Sequence, residues 1–226
     1  MRRVLTSVTL GLALAIALFG ATLASAGPLA THPLAYDDGT TVWHGSTGFD
    51  DDGDPLILEG DGLEGSVDWA VFTSADFETA FPALIGQYIP PAGQLAYTYQ
   101  INVAGIAVVS SLSVGIDDEP TGTIGYFSGG GVSGKAPTSV SLAQYSANFG
   151  FVGNNVPVGS SSRGLVFSSP NVPMDFFGSV IDGGSSAFVI PLPSPSSIPI
   201  PEPSTLALAG LVLVLLGCRR WFRLTT

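Results

Sequence analysis

The sequence predicts an all-β fold, an antiparallel β-sandwich of jelly-roll-like type, set between an N-terminal signal peptide and a single C-terminal membrane helix. Three observations carry the prediction. Gly (29) and Pro (17) break the 226 residues so often that long helices have little room. Several short runs place apolar residues at every second position, the period of a strand with one buried face. Only the two chain ends bear a long apolar run beside arginines.

Met1-Arg2-Arg3 is a positive opening, and Val4 to Phe19 is apolar apart from Thr6, Ser7, Thr9 and Gly11. Ala24 and Ala26 flank Ser25 in the small-x-small pattern that signal peptidases cut. Residues 1–26 therefore read as a secretory signal peptide removed after Ala26. The exported domain is expected over 27–190, a Pro/Ser linker over 191–200, and a tail over 201–226 with its membrane helix at 205–218.

Within the exported part, Thr41-Val42-Trp43 opens a first strand. Ser66 to Ser74 puts Val67, Trp69, Val71 and Thr73 on one face. Ala75 to Tyr88 has room for one short helix, bounded by Pro82 and Gly86. The clearest β signal follows. Leu95, Tyr97, Tyr99, Ile101 and Val103 alternate with Ala96, Thr98, Gln100 and Asn102. Ala104-Gly105 reads as a turn, and Val108, Ser110, Leu112, Val114 and Ile116 as the return strand of a hairpin. Further strands are expected at Thr123–Phe127, Ser139–Phe151, Gly164–Ser169 and Ser185–Leu192. Gly129-Gly130-Gly131 is a turn; it lacks the lysine and the strand-to-helix setting of a phosphate loop.

Charge narrows the function classes. All 18 acidic residues except Glu202 lie in the central region, which has only Lys135 and Arg163 to offset them. Such a surface repels phosphate backbones, so no nucleic-acid partner is expected. Cations and basic partners are the attraction left open. The lone cysteine, Cys218, sits in the tail, so the exported part has no disulfide and no thiolate chemistry.

The acids are densest from Asp50 to Glu64. Asp50, Asp52 and Asp54 have the alternate spacing with which a calcium loop begins. Pro55 stands where an EF-hand loop needs glycine, so an EF-hand is excluded. Two readings remain for this stretch: a looser calcium site on Asp50, Asp52 and Asp54, or a solvated acidic loop. No other cofactor is expected. His32 and His44 have no metal-ligand spacing between them. No Gly-x-Ser-x-Gly elbow occurs, and the expectation is a non-enzyme; the abundant carboxylates leave a two-carboxylate hydrolase as a third alternative. The tyrosine stripe reads as core, or else as a stacking platform for carbohydrate.

The chain end is the most specific stretch. Pro201-Glu202-Pro203 is held extended by its prolines. Leu206 to Gly217 is apolar all round, and Arg219, Arg220 and Arg223 close the segment with the positive charge expected on the cytoplasmic side. From Leu206 to Cys218 a helix spans only about 20 Å, short of the ~30 Å hydrocarbon core, which favours a transient segment over a permanent anchor. This arrangement resembles the PEP-CTERM sorting signal of exported bacterial proteins. The resemblance covers only the tail. It implies passage through the export machinery, at least transient membrane attachment, and recognition by a membrane-bound exosortase. It also implies a cell-envelope or extracellular location, with extracellular polysaccharide as a partner. The function expected is a non-catalytic cell-surface or extracellular-matrix protein, with a calcium- or carbohydrate-binding surface module as the alternative.

Overall fold

The computed structural model describes residues 27–51, 62–82, 87–117 and 122–196. These form two five-stranded antiparallel sheets and one short helix. The first sheet contains β1 (His44–Asp50), β2 (Glu64–Thr73), β3 (Leu95–Val103), β8 (Gly164–Ser169) and β5 (Ile124–Phe127), adjacent in that order. The second contains β10 (Ser186–Ser196), β9 (Val172–Ile181), β4 (Ser111–Gly115), β7 (Ser146–Gly150) and β6 (Ser139–Ala143). Helix α1 (Ser74–Ala80) follows β2 directly. The expected membrane helix at 205–218 lies outside the described residues. Among those described, no helix is long and apolar enough to cross a membrane.

One buried cluster joins the sheets. Val67, Val71, Tyr97, Tyr99, Ile101 and Phe167 come from the first; Leu112, Val114, Phe149, Val180, Val189 and Leu192 come from the second. The alternation in β2 and β3 selects these inward residues, as the sequence predicts. Tyr97 lies parallel to Phe167 with ring centroids 5.2 Å apart.

The opposite face of the first sheet is also covered. Ala70, Phe72, Ala96, Val166 and Phe127 of the sheet pack beneath Leu29, Phe77 and Phe81 in a second apolar cluster. Phe77 belongs to α1, and Thr73 caps that helix by accepting from the Asp76 amide at 3.2 Å. A threonine cap followed by an acid three residues on satisfies free amides and favours the start of a helix. Pro82 and the cap at Phe81 fit the expected end of this element. Leu29 comes from the lead-in, which is therefore a structural layer and not a loose approach to the domain.

Four expectations are corrected by the strand register. Leu95–Val103 and Ser111–Gly115 do not pair as a hairpin: β3 lies between β2 and β8, and β4 between β7 and β9. Periodicity tells which residues share a face but not which strand lies alongside. The connector 104–110 is drawn to β2 instead: the amides of Ala104 and Gly105 donate to the Glu64 carbonyl. From there the chain passes to the other sheet. The expected strand Ser139–Phe151 is two strands that pair with each other, with Gln144-Tyr145 at the turn. Strand β9 has no counterpart in the sequence reading, because Pro173, Asp175 and Gly178 interrupt its pattern. The fourth correction concerns 191–200. Residues 191–196, expected as linker, continue β10 and pair with β9 through Ser196↔Val172.

The proline spacing explains that last result. Pro191, Pro193 and Pro195 recur at every second position, so every missing amide hydrogen falls on the same side of the strand. β10 is an edge strand, and that side is its unpaired edge. The edge is not bare. Thr47 Oγ1 donates to the Pro191 carbonyl at 2.6 Å, and the Tyr99 hydroxyl donates to the Pro193 carbonyl at 2.5 Å. Carbonyls that cannot meet a neighbouring strand are thus satisfied by hydroxyls from the first sheet.

Candidate functional site

The acidic stretch sits at the mouth of the β1–β2 hairpin. Asp50 ends β1, Glu64 begins β2, and the two stand directly opposite in the register. Both are buried. Directly opposed like charges repel each other in a sheet, and each of these two side chains also has a further interaction within the fold. Asp51 turns back into the hairpin, where its Oδ1 accepts from the Leu63 amide at 3.1 Å. Of the three expected calcium ligands, the structure places Asp50 alone; Asp52 and Asp54 lie outside the described residues. Among the described residues no group of three His, Cys, Asp or Glu side chains is arranged to hold a metal. Glu64 was visible in the sequence only as one more acid. The hairpin register is what brings it to Asp50.

Both histidines are occupied within the fold. His44 Nδ1 lies 2.6 Å from the Ala30 carbonyl. His32 Nδ1 accepts from the Leu34 amide at 3.2 Å, and its ring meets Phe72 edge-on at 5.0 Å. Burial lowers the His32 pKa, and the nearby His44 lowers it further. A ring packed against phenylalanine and accepting at one nitrogen suits the neutral form. These two side chains hold the lead-in against the first sheet.

The tyrosine stripe is core. Tyr97 and Tyr99 are fully buried, and burial pushes both phenols well above their ordinary range. They are not available as a stacking surface for sugar. Asp38 is an exposed carboxylate held well below the usual range, chiefly by the Thr40 hydroxyl at 2.6 Å. It also accepts from the Thr40 and Thr41 amides and from Trp43 Nε1, which closes the turn before β1.

The strongest functional signal lies at the C-terminus. Ser196, the last described residue, ends the edge strand of the second sheet, and in the sequence the proline-bounded triplet begins five residues later, at Pro201. Residues 199–220 match the PEP-CTERM protein-sorting motif. The PEP-CTERM match spans Pro201, Glu202, Pro203, Arg219 and Arg220; Arg223 lies just beyond it. It covers the tail alone, and marks the chain as an exported protein with a signal read by an exosortase. These sorting residues and the cleavage residues Ala24 and Ala26 lie outside the described residues. No curated protein and no solved structure matches the chain.

Proposed function

We propose that this is a non-catalytic protein of the cell surface or extracellular matrix, delivered through its PEP-CTERM tail. The single observation that carries this reading is the match at 199–220 to a protein-sorting motif of exported proteins. Two features of the exported part support it. The histidines serve as packing and hydrogen-bonding groups, and the two sheets enclose a continuous aromatic and aliphatic core. We read that body as a β-sandwich whose task is to persist outside the cell. Extracellular polysaccharide is the proposed surrounding partner, and a membrane-bound exosortase the processing one.

Mass spectrometry of both termini of the protein from its native host tests the reading. The expected chain begins at Gly27 and ends near Pro201–Ser204. A chain that retains Arg219 to Arg223 would remove the processing step and leave a membrane-anchored surface protein.

A second reading is a calcium-binding surface module, and the opposition of Asp50 and Glu64 favours it. A divalent cation between these strands and the acidic segment that joins them would relieve the repulsion. A rise in melting temperature with millimolar calcium, absent with Asp50→Asn, is the expected result. No shift in the wild-type protein would exclude the site.

A further inference from the structure

The outer face of the first sheet changes character along its strands. Near α1 it is apolar; toward the other end it carries Asp68 from β2 with Gln100 and Asn102 from β3. The register aligns Asp68 with Gln100 and Ser66 with Asn102. Asp68 is fully buried and Gln100 is 4% exposed. A buried carboxylate normally has a cation or several donors about it. Asp68 Oδ2 accepts from Asn102 Nδ2 at 2.9 Å and from the backbone nitrogen of Gly27 at 2.7 Å. Its Oδ1 has no hydrogen-bond partner, and neither has Gln100 Oε1, although Gln100 Nε2 donates to the carbonyls of Ser133 and Ser162. Two buried acceptors are therefore left over beside one backbone nitrogen. A Cβ on Gly27 would stand 2.3 Å from Asp68 Oδ2 and 3.5 Å from Gln100 Oε1, so both side chains converge on residue 27, and a side chain there would have to displace the Asp68 carboxylate.

That nitrogen is the one that removal of the signal peptide would free. We propose that cleavage between Ala26 and Gly27 creates an α-ammonium that pairs with Asp68, so that the polar half of this face is completed only in the processed chain. The step is a hydrolysis. Water gives its hydroxyl to the Ala26 carbonyl carbon and a proton to the Gly27 nitrogen; the peptide leaves as a carboxylate. Below the ordinary α-amino pKa of about 7.7–8.0 the new amine takes a further proton. One amide hydrogen becomes three ammonium hydrogens. One stays on Asp68 Oδ2, and the other two match the number of partnerless acceptors. The charge also balances: a buried carboxylate facing a neutral amide becomes a buried ion pair with supporting hydrogen bonds. The neighbouring residues fix the nitrogen in place. The Ala30 amide donates to the Gly27 carbonyl at 3.1 Å, and Leu29 is fully buried in the second cluster.

This inference rests on the cleavage site read from Ala24 and Ala26, and the experiment separates the two. The full chain is expressed with its leader in an exporting host, and the exported protein is purified in detergent. Intact mass gives its first residue. The folded protein is then treated with acetic anhydride at pH 7.5, and modification is read by peptide mass spectrometry. The processed chain holds two amines, the Gly27 α-amine and the ε-amine of Lys135, its sole lysine, which is exposed and serves as the internal standard. Relative to Lys135, Gly27 is expected to react at least about sixfold more slowly in the folded protein than in denaturant, the drop in free amine at this pH when pairing raises a pKa of about 7.7 by one unit. Asp68→Asn, which keeps the shape and removes the charge, should abolish that protection. A chain that begins at Gly27 but reacts equally fast folded and denatured overturns the pairing and leaves the cleavage site standing. A chain that begins elsewhere overturns both. The wild-type comparison decides the matter even where Asp68→Asn does not fold.

Discussion

Tyr99→Phe isolates one polar tie between the sheets. The ring of Tyr99 is fully buried beside Phe167, with centroids 6.0 Å apart and planes 19° from parallel, and phenylalanine reproduces those contacts. Only the hydroxyl is lost. Its partner is the Pro193 carbonyl on the unpaired edge of β10, in a buried position where no strand can replace it. The cost combines a net hydrogen bond with a stranded buried acceptor, about 1–3 kcal/mol and centrally about 2. For a domain of this size, about 2 kcal/mol lowers Tm by about 4–8 °C. Differential scanning calorimetry of the exported protein measures this, with Tyr145→Phe as the control. Tyr145 is exposed, so its replacement should stay within about 0.5 kcal/mol. Equal effects of the two substitutions would refute the tie. An alkaline titration supplies a second check. Because the folded pKa values of Tyr97 and Tyr99 are raised, their contribution to stability is whole below about pH 10 and falls away as pH rises beyond it. Ultraviolet absorbance should therefore show these two phenols ionising only as the protein unfolds.

Further predictions concern other parts of the fold. Thr47→Val removes the donor to Pro191 and the acceptor of Trp69 Nε1 at 3.0 Å; a loss of about 1–3 kcal/mol is expected by chemical denaturation. Combined with Tyr99→Phe, it should loosen β10 enough to raise amide exchange at Leu192 and Ser194. The His32 pKa is lowered in the fold, so its contribution is whole above about pH 6.5 and is lost as pH falls below that value. Melting curves between pH 7 and 5 should show the decline, and His32→Gln should flatten it. Gly134 holds φ +138° with the Ser161 carbonyl oxygen 2.0 Å from any Cβ; Gly134→Ala should cost about 2 kcal/mol or more, read as a lower Tm.

Much of the strand content was legible because alternation is a local property. Val67 and Val71, and Tyr97, Tyr99 and Ile101, announce their inward faces without reference to a partner. Pairing is not local. The run from Val108 to Ile116 looks like the return of a hairpin, yet it belongs to the other sheet, because the intervening connector binds the start of β2. The outer face misleads for a related reason. Thr98 and Gln100 alternate with the core residues as solvent-facing positions would, but residues far along the chain cover them. Thr98 then donates to the Ala70 carbonyl at 2.6 Å, a bond between neighbouring strands that composition does not reveal. The sorting tail was readable for the opposite reason: its triplet, apolar run and arginines act as a linear signal. Glu64 lay between these cases, since only the hairpin sets it against Asp50.

The proline-bearing edge of β10 has a geometric consequence for processing. Ser196 is still part of the sheet, and Pro201 opens the sorting triplet. Residues 197–200 alone separate them, which allows a reach of at most about 18 Å between Ser196 and Pro201 when fully extended. A protease engaged on the triplet would thus work within a few side-chain lengths of a finished β-structure. Were the chain cut at the triplet, the sheet ending at Ser196 would limit how far the enzyme could search along the chain on that side. Lengthening this short tether should relax the choice of scissile bond, whereas fraying the strand by Thr47→Val and Tyr99→Phe should do the same without adding a residue.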